Sequence, residues 1–268
     1  QRFALFSLVP FTPIWAYNRN TLMTGEPVAQ QGTDRKAAML RSVIAMSMVL
    51  AASPVWAQRA ATIDPRHYTI AFENDVVRVL SVVYPPGERS EMHEHPPNVT
   101  VFLTDAQFRV TYPGGEVSDP RINGGSVGWG AGTIHEPRNV GTQSVRVMIV
   151  EFVNLEISEG VRQRISQPEP IDLGPGMTGH ALVDNELVAV RRVSFNPDAN
   201  REFHANEDRD LLLLPRLGRL TLEMDGQTRV LESGEVQWVS AGTTHTERND
   251  SDESTEWIAL LMEQLPPG

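Results

Sequence analysis

Apolar positions come in short, interrupted runs along most of the chain. Val76–Leu80, Val99–Leu103, Phe108–Tyr112 and Val145–Val153 are rich in β-branched and aromatic residues. Pro-Gly, Gly-Gly and Asp-Gly pairs punctuate them. Such runs, closed by turn residues, predict strands. Beyond residue 58 no long segment carries the 3.6-residue period of an amphipathic helix. Turn signals about every ten residues predict a sandwich, a barrel or a jelly roll.

The pattern occurs twice. ENDVVRVLSVVYPPGERSEMHEH (73–95) aligns with DNELVAVRRVSFNPDANREFHAN (184–206), setting Asn74 against Asn185 and His93 against His204. GGSVGWGAGTIHEPRN (124–139) aligns with GEVQWVSAGTTHTERN (234–249), setting Gly132 against Gly242, His135 against His245 and Asn139 against Asn249. A period of about 110 residues is domain-sized, far above the roughly 20–50 of a solenoid. The chain therefore reads as a duplicated all-β domain, with halves at 58–166 and 178–268. The Pro/Gly-rich stretch 167–177 (QPEPIDLGPGM) is the expected linker.

The N-terminal part reads differently. Arg35, Lys36 and Arg41 precede an apolar run, Ser42–Ala52, and the segment closes on Val55-Trp56-Ala57. A basic region, a short apolar core and a small-x-small end form the pattern of a signal peptide over 39–57, cleaved after Ala57. The apolar run is short of the roughly 20 residues of a bilayer span, so no stable membrane insertion is expected. Export to the periplasm or the extracellular space follows as the expected location. Residues 1–38 then precede the natural start at Met39 and read as an over-extended frame without a fold.

Composition narrows the chemistry. The 268 residues contain no cysteine, which excludes disulfides, thiolate ligands and thiol nucleophiles. The formal charge of −11 argues against nucleic acid as a partner. A small-molecule ligand or substrate is the expected partner. The only lysine is Lys36, in the basic stretch just before the expected start at Met39. No P-loop, dinucleotide fingerprint or G-x-S-x-G elbow is present.

Histidine carries the candidate chemistry. Gly87 is followed after five residues by His93-Glu94-His95. Residues i and i+2 of a strand share a face, so both imidazoles point the same way. Later, Gly124-x5-Gly130-x-Gly132-x2-His135-x3-Asn139 brings a third histidine from a distant strand. Three imidazoles with open positions suit Fe, Zn, Cu, Ni or Mn as a divalent ion. In the second half His204 and His245 persist, Asn206 replaces the second histidine, Asp198 replaces the glycine, and Asp210 falls near the acid position. His204, Asn206, Asp210 and His245 thus form a vestigial set, expected to have lost its metal. His67 reads as packing, His180 as solvated, and Trp129 and Trp238 as core or rim. Glu136 and Arg138 flank His135 and are expected to face away from it.

These motifs resemble the two signatures of the cupin superfamily, G-x5-H-x-H-x3,4-E-x6-G and G-x5-P-x-G-x2-H-x3-N, once per half. The resemblance implies two tandem double-stranded β-helix (jelly-roll) barrels, a bicupin, with a metal on His93, His95 and His135. The superfamily's Glu ligand has no counterpart, since Val99 and Thr100 stand there. Three-histidine cupins include dioxygenases, so a metal-dependent oxygenase is the first implied activity. A non-catalytic binding protein and a metal-dependent isomerase, lyase or decarboxylase are the others. The segment His93-x-His95-Pro96-Pro97 and the run VFLTD (101–105) are similar to small cupins of the β-alanine-degradation type. Swapped edge strands in cupins imply a homodimer by analogy.

Overall fold

The computed structural model describes residues 60–153, 170–205 and 208–263. The expected leader (39–57), the segment before it (1–38) and Asn206 lie outside the described residues. The first half comprises a short helix, α1 (Ala60–Ile63), and ten strands: β1 (Tyr68–Glu73), β2 (Val77–Tyr84), β3 (His93–His95), β4 (Asn98–Phe102), β5 (Ala106–Thr111), β6 (Val117–Ser118), β7 (Arg121–Ile122), β8 (Val127–Gly130), β9 (Thr133–Asn139) and β10 (Val145–Phe152). The second comprises β11 (Pro170–Asp172), β12 (Met177–Asp184), β13 (Val188–Phe195), β14 (Asn200–His204), β15 (Leu211–Leu217), β16 (Leu220–Met224), β17 (Gln227–Leu231), β18 (Gln237–Val239), β19 (His245–Arg248) and β20 (Thr255–Met262). No described helix is long and apolar enough to cross a membrane.

Each half is a two-sheet barrel. The first pairs β1-β2-β10-β4-β8 with β3-β9-β5-β6, and β7 adds to β5. The second pairs β11-β12-β13-β20-β15-β18 with β14-β19-β16-β17. The duplication holds to the level of register. Tyr84 faces Val145 across β2 and β10, and their repeat equivalents Phe195 and Thr255 face each other across β13 and β20. Pro170–Asp172, inside the expected linker, pair with β12 as the edge strand of the second barrel.

Besides the histidines, the residues shared by the two halves include ones that close turns. Asn74 accepts hydrogen bonds from the amides of Val76 and Val77, and Asn185 does the same for Leu187 and Val188. These Asx turns set the start of β2 and β13. Asn139 donates to the carbonyls of Tyr84 and Gln143, both at 2.8 Å. Its counterpart Asn249 donates to Phe195 and Glu253 in the same way. Gly87 has φ of +83°, and Asp198, which replaces it, keeps φ at +60°. Aspartate is among the few residues that tolerate this region, so the turn survives the loss of the glycine.

Both large sheets are buried on two faces. Leu80, Val82, Val147 and Ile149 fill the first barrel, while Val77, Val79, Met148 and Val150 face the other way. That second face packs against Val188, Val190, Leu212, Leu214, Ile258 and Leu260 of the second barrel. The interiors therefore sit on either side of a third core that joins the halves. This explains why β10 and β15 are nearly continuous apolar runs rather than alternating ones. Across the junction Phe72 stacks on Trp238 at 5.8 Å between centroids, and Arg192 donates to the carbonyl of Gly125.

Candidate metal centre

His93 and His95 occupy the two inward positions of β3, as period two requires. β3 pairs antiparallel with β9 in a register that sets His93 opposite His135. The three imidazoles converge, with one nitrogen of each within 4.8 Å of the others. All are buried, with His93 at 0% exposure and His135 at 6%. Their rings stand nearly perpendicular, with centroids 4.9–5.3 Å apart.

The surroundings fix which nitrogens face inward. His93 Nδ1 donates to the carbonyl of Glu91 at 2.7 Å, with Ser90 Oγ at 3.3 Å. His95 Nδ1 donates to Glu151 Oε1 at 2.7 Å. The two Nε2 atoms are then lone-pair donors to a cation, and they lie 3.1 Å apart. Two imidazoles bound at about 2.0–2.1 Å from one ion have nitrogens about 3.0–3.4 Å apart. The donor set therefore fits a divalent transition metal. Burial first, and the neighbouring His95 second, lower the His93 pKa to about 4. Burial followed by His95 and His93 drives His135 well below its ordinary value. Both stay neutral at pH 7, the form that binds a metal.

Two features escaped the sequence reading. Glu151 is 1% exposed and shares the inward face of β10 with Val145, Val147 and Ile149. It orients His95 in the carboxylate–histidine arrangement common behind metal ligands, and Arg78 Nη1 lies 3.7 Å from its other oxygen. A lone carboxylate at an inward position of an apolar strand was its signal. The Tyr68 hydroxyl accepts from Tyr84 at 2.7 Å and lies 3.0 Å from His93 Nε2, so its proton points at the lone pair that a metal would take and turns to a neighbouring acceptor once the metal is bound. Burial first, then Tyr84, raises the Tyr68 pKa well above its ordinary value, so its hydroxyl stays protonated. Nothing in the sequence singled Tyr68 out: β1 places Tyr68, Ile70 and Phe72 at alternate positions, yet Tyr68 is 3% exposed and Ile70 47%, so the pattern does not tell which of them is buried.

Behind these residues His67 stacks on Tyr84 and bridges Asp64 and Glu88 at 2.5 and 2.8 Å. It packs, as expected. Glu136 and Arg138 face away from the histidines, toward Arg89 and the Gly87 carbonyl. Trp129 is core.

His95 and His135 line a cavity open to solvent, with about 710 Å³ of empty space when its mouth is counted. Its walls are mostly apolar, among them Phe102, Phe108, Ile122, Val147 and Ile149. Asn98, Thr100, Thr133 and the tyrosines supply the polar atoms, and among the described residues no lysine, arginine or carboxylate lines it.

In the second barrel the structure brings His204 and His245 together with Glu247, not with Asp210. Asp210 Oδ1 accepts instead from the Ala241 amide at 2.8 Å, which ties down the loop before β19. The acid of the vestigial set is thus corrected: Asp210 holds a loop, and Glu247, two residues after His245, supplies the carboxylate.

Comparison with known proteins agrees with this architecture. Residues 191–261 match the cupin domain family. Among solved structures, an oxalate decarboxylase of Bacillus subtilis with Mn(II) centres superposes with a TM-score of 0.53 at 14% identity, covering 72% of this chain and 70% of that one. AerE from Microcystis aeruginosa superposes with a TM-score of 0.57 at 12% identity, covering 74% and 94%. No curated protein sequence matches. The fold is that of a tandem cupin.

Proposed function

We propose that the first barrel is a metal-dependent oxygenase acting on a small, weakly polar organic molecule, with His93, His95 and His135 holding the metal. The observation that carries this reading is the convergence of three buried imidazoles, two of which line an apolar cavity. A divalent transition metal on three imidazoles offers open positions where a substrate oxygen and dioxygen can meet.

The chain's own residues do the rest. Glu151 holds His95 in the ligating tautomer. The Glu91 carbonyl does the same for His93. Tyr68, kept protonated, donates a hydrogen bond to an oxygen atom of the substrate beside His93. The apolar walls bind the carbon skeleton and exclude water. Asn98, Thr100 and Thr133 orient polar substituents.

The second reading is a decarboxylase, favoured by the tandem fold shared with the oxalate decarboxylase. The cavity weighs against it. The metal would meet one carboxylate of a dicarboxylate, but among the described residues no lysine or arginine lines the cavity to meet the second, whose hydration would be lost uncompensated. We further propose export, supported by the segment 39–57, and kinship with the small H-x-H-P-P cupins, supported by residues 93–97.

The test loads the purified chain with iron and follows oxygen uptake with thiols, β-diketones and flavonols. One class is expected to drive uptake that His93→Ala abolishes. Carbon dioxide release from carboxylic acids without oxygen uptake would establish the decarboxylase instead. Tight binding of these compounds with no turnover would establish a binding protein.

A further inference from the structure

We infer that the second barrel holds a second divalent metal, on His204, His245 and Glu247. The superfamily's acid follows the first histidine pair, whereas this carboxylate comes from the strand of the last histidine. In the first barrel the repeat places Pro137 at the equivalent position.

The arrangement follows from period two. His245 and Glu247 are the i and i+2 residues of β19, and both point inward, at 0% and 1% exposure. β14 pairs with β19 so that His204 lies opposite His245. This is the register in which His93 lies opposite His135. Glu247 Oε1 lies 3.5 Å from His245 Nε2 and 3.9 Å from His204 Nε2.

Hydrogen bonds behind the rings fix the tautomers. His204 Nδ1 donates to the carbonyl of Glu202, and His245 Nδ1 to that of Thr243, each at 3.1 Å. Both Nε2 atoms therefore present lone pairs to one point, where a carboxylate also presents its charge. His204 Nε2, His245 Nε2 and Glu247 Oε2 are buried with no hydrogen bond. Arg201 reaches Glu247 Oε2 only at 3.8 Å. Three converging acceptors without a donor between them repel one another unless a cation joins them. Two imidazoles and one carboxylate on one side form a facial set with open positions. That set suits Fe(II), Mn(II) or Co(II).

Four proteins separate this site from the first: the intact chain, His135→Ala, Glu247→Gln, and the double variant. Each is stripped with a chelator and dialysed against Co(II). Bound cobalt is counted, and the visible spectrum and melting temperature are recorded. The intact chain is expected to bind one cobalt more than Glu247→Gln, and His135→Ala to keep a cobalt that the double variant loses. His204→Ala, at a partly exposed position, is the second variant should Glu247→Gln not fold. It is expected to weaken the same site by more than the roughly 10–100-fold cost of losing an outer partner. A folded Glu247→Gln or His204→Ala chain that binds cobalt as the intact chain does would overturn the second site. So would a folded His135→Ala chain that binds none. Loss of binding at the first site alone leaves the second standing, so the two readings fail separately.

Discussion

At the scale of single residues, the first centre depends on atoms one step behind the ligands. Glu151 is buried, bonded to His95 and backed by Arg78. Replacing it with Gln keeps the shape and a hydrogen-bonding oxygen but removes the charge that makes His95 a stronger donor. The expected result is a metal affinity lower by roughly 10–100-fold, read by competition with a chromophoric chelator. Unchanged affinity would reduce Glu151 to a packing residue. Tyr68→Phe acts differently. It takes away the acceptor of the Tyr84 hydroxyl, which is buried beside it. An orphaned buried donor costs about 1–3 kcal/mol, measurable by denaturant unfolding of the metal-free protein. The ligands themselves were legible in the sequence, because H-x-H on a strand admits one geometry. Glu151 and Glu247 were legible in principle by the same alternation. Tyr68 was not, since its place depends on how β1 lies across the barrel.

At the scale of elements, the repeat preserved the turn-closing residues more faithfully than the ligands. Asn139 and Asn249 each tie a strand end to two carbonyls of a distant turn. Alanine at either position strands buried carbonyls and is expected to cost about 1–3 kcal/mol. The two substitutions should cost similar amounts, because the clips are equivalent. A near-neutral Asn249→Ala beside a costly Asn139→Ala would show that the second barrel does not rely on its clip. The strands with β-branched runs, such as β2, β4, β5 and β10, fell where the apolar pattern put them. β11 did not, since Pro170–Asp172 carry no apolar run and form a strand only because β12 offers an edge.

At the scale of the whole molecule, the duplication makes two barrels and one shared core. Leu212 and Leu214 of β15 face Val77, Val79 and Val150 rather than their own barrel interior. The sequence run of four leucines, Leu211–Leu214, is thereby explained: alternate residues serve different cores. Nothing in the sequence could show that the barrels meet through these faces. Leu214→Ala is expected to cost about 2–5 kcal/mol and to lower the stability of both halves together. A calorimetric trace with one half melting unchanged would contradict the shared core. Stability should also depend on pH. Burial and His95 hold the His93 pKa near 4, while a histidine in the unfolded chain titrates near 6.5. Between those values the unfolded chain binds more protons. The metal-free protein is therefore expected to lose stability as the pH falls from about 6.5 toward about 4. Urea midpoints across that range check the sign.

The most direct test of the account is a count of metal in the first barrel. Glu247→Gln protein, in which only the His93, His95 and His135 centre remains, is stripped, exposed to Fe(II), Mn(II) and Co(II) in turn, dialysed and analysed for bound ion. The account predicts close to one ion per chain for at least one of these metals, abolished by adding His135→Ala. A folded Glu247→Gln chain that retains none of them, or binds as much after His135→Ala, would contradict it.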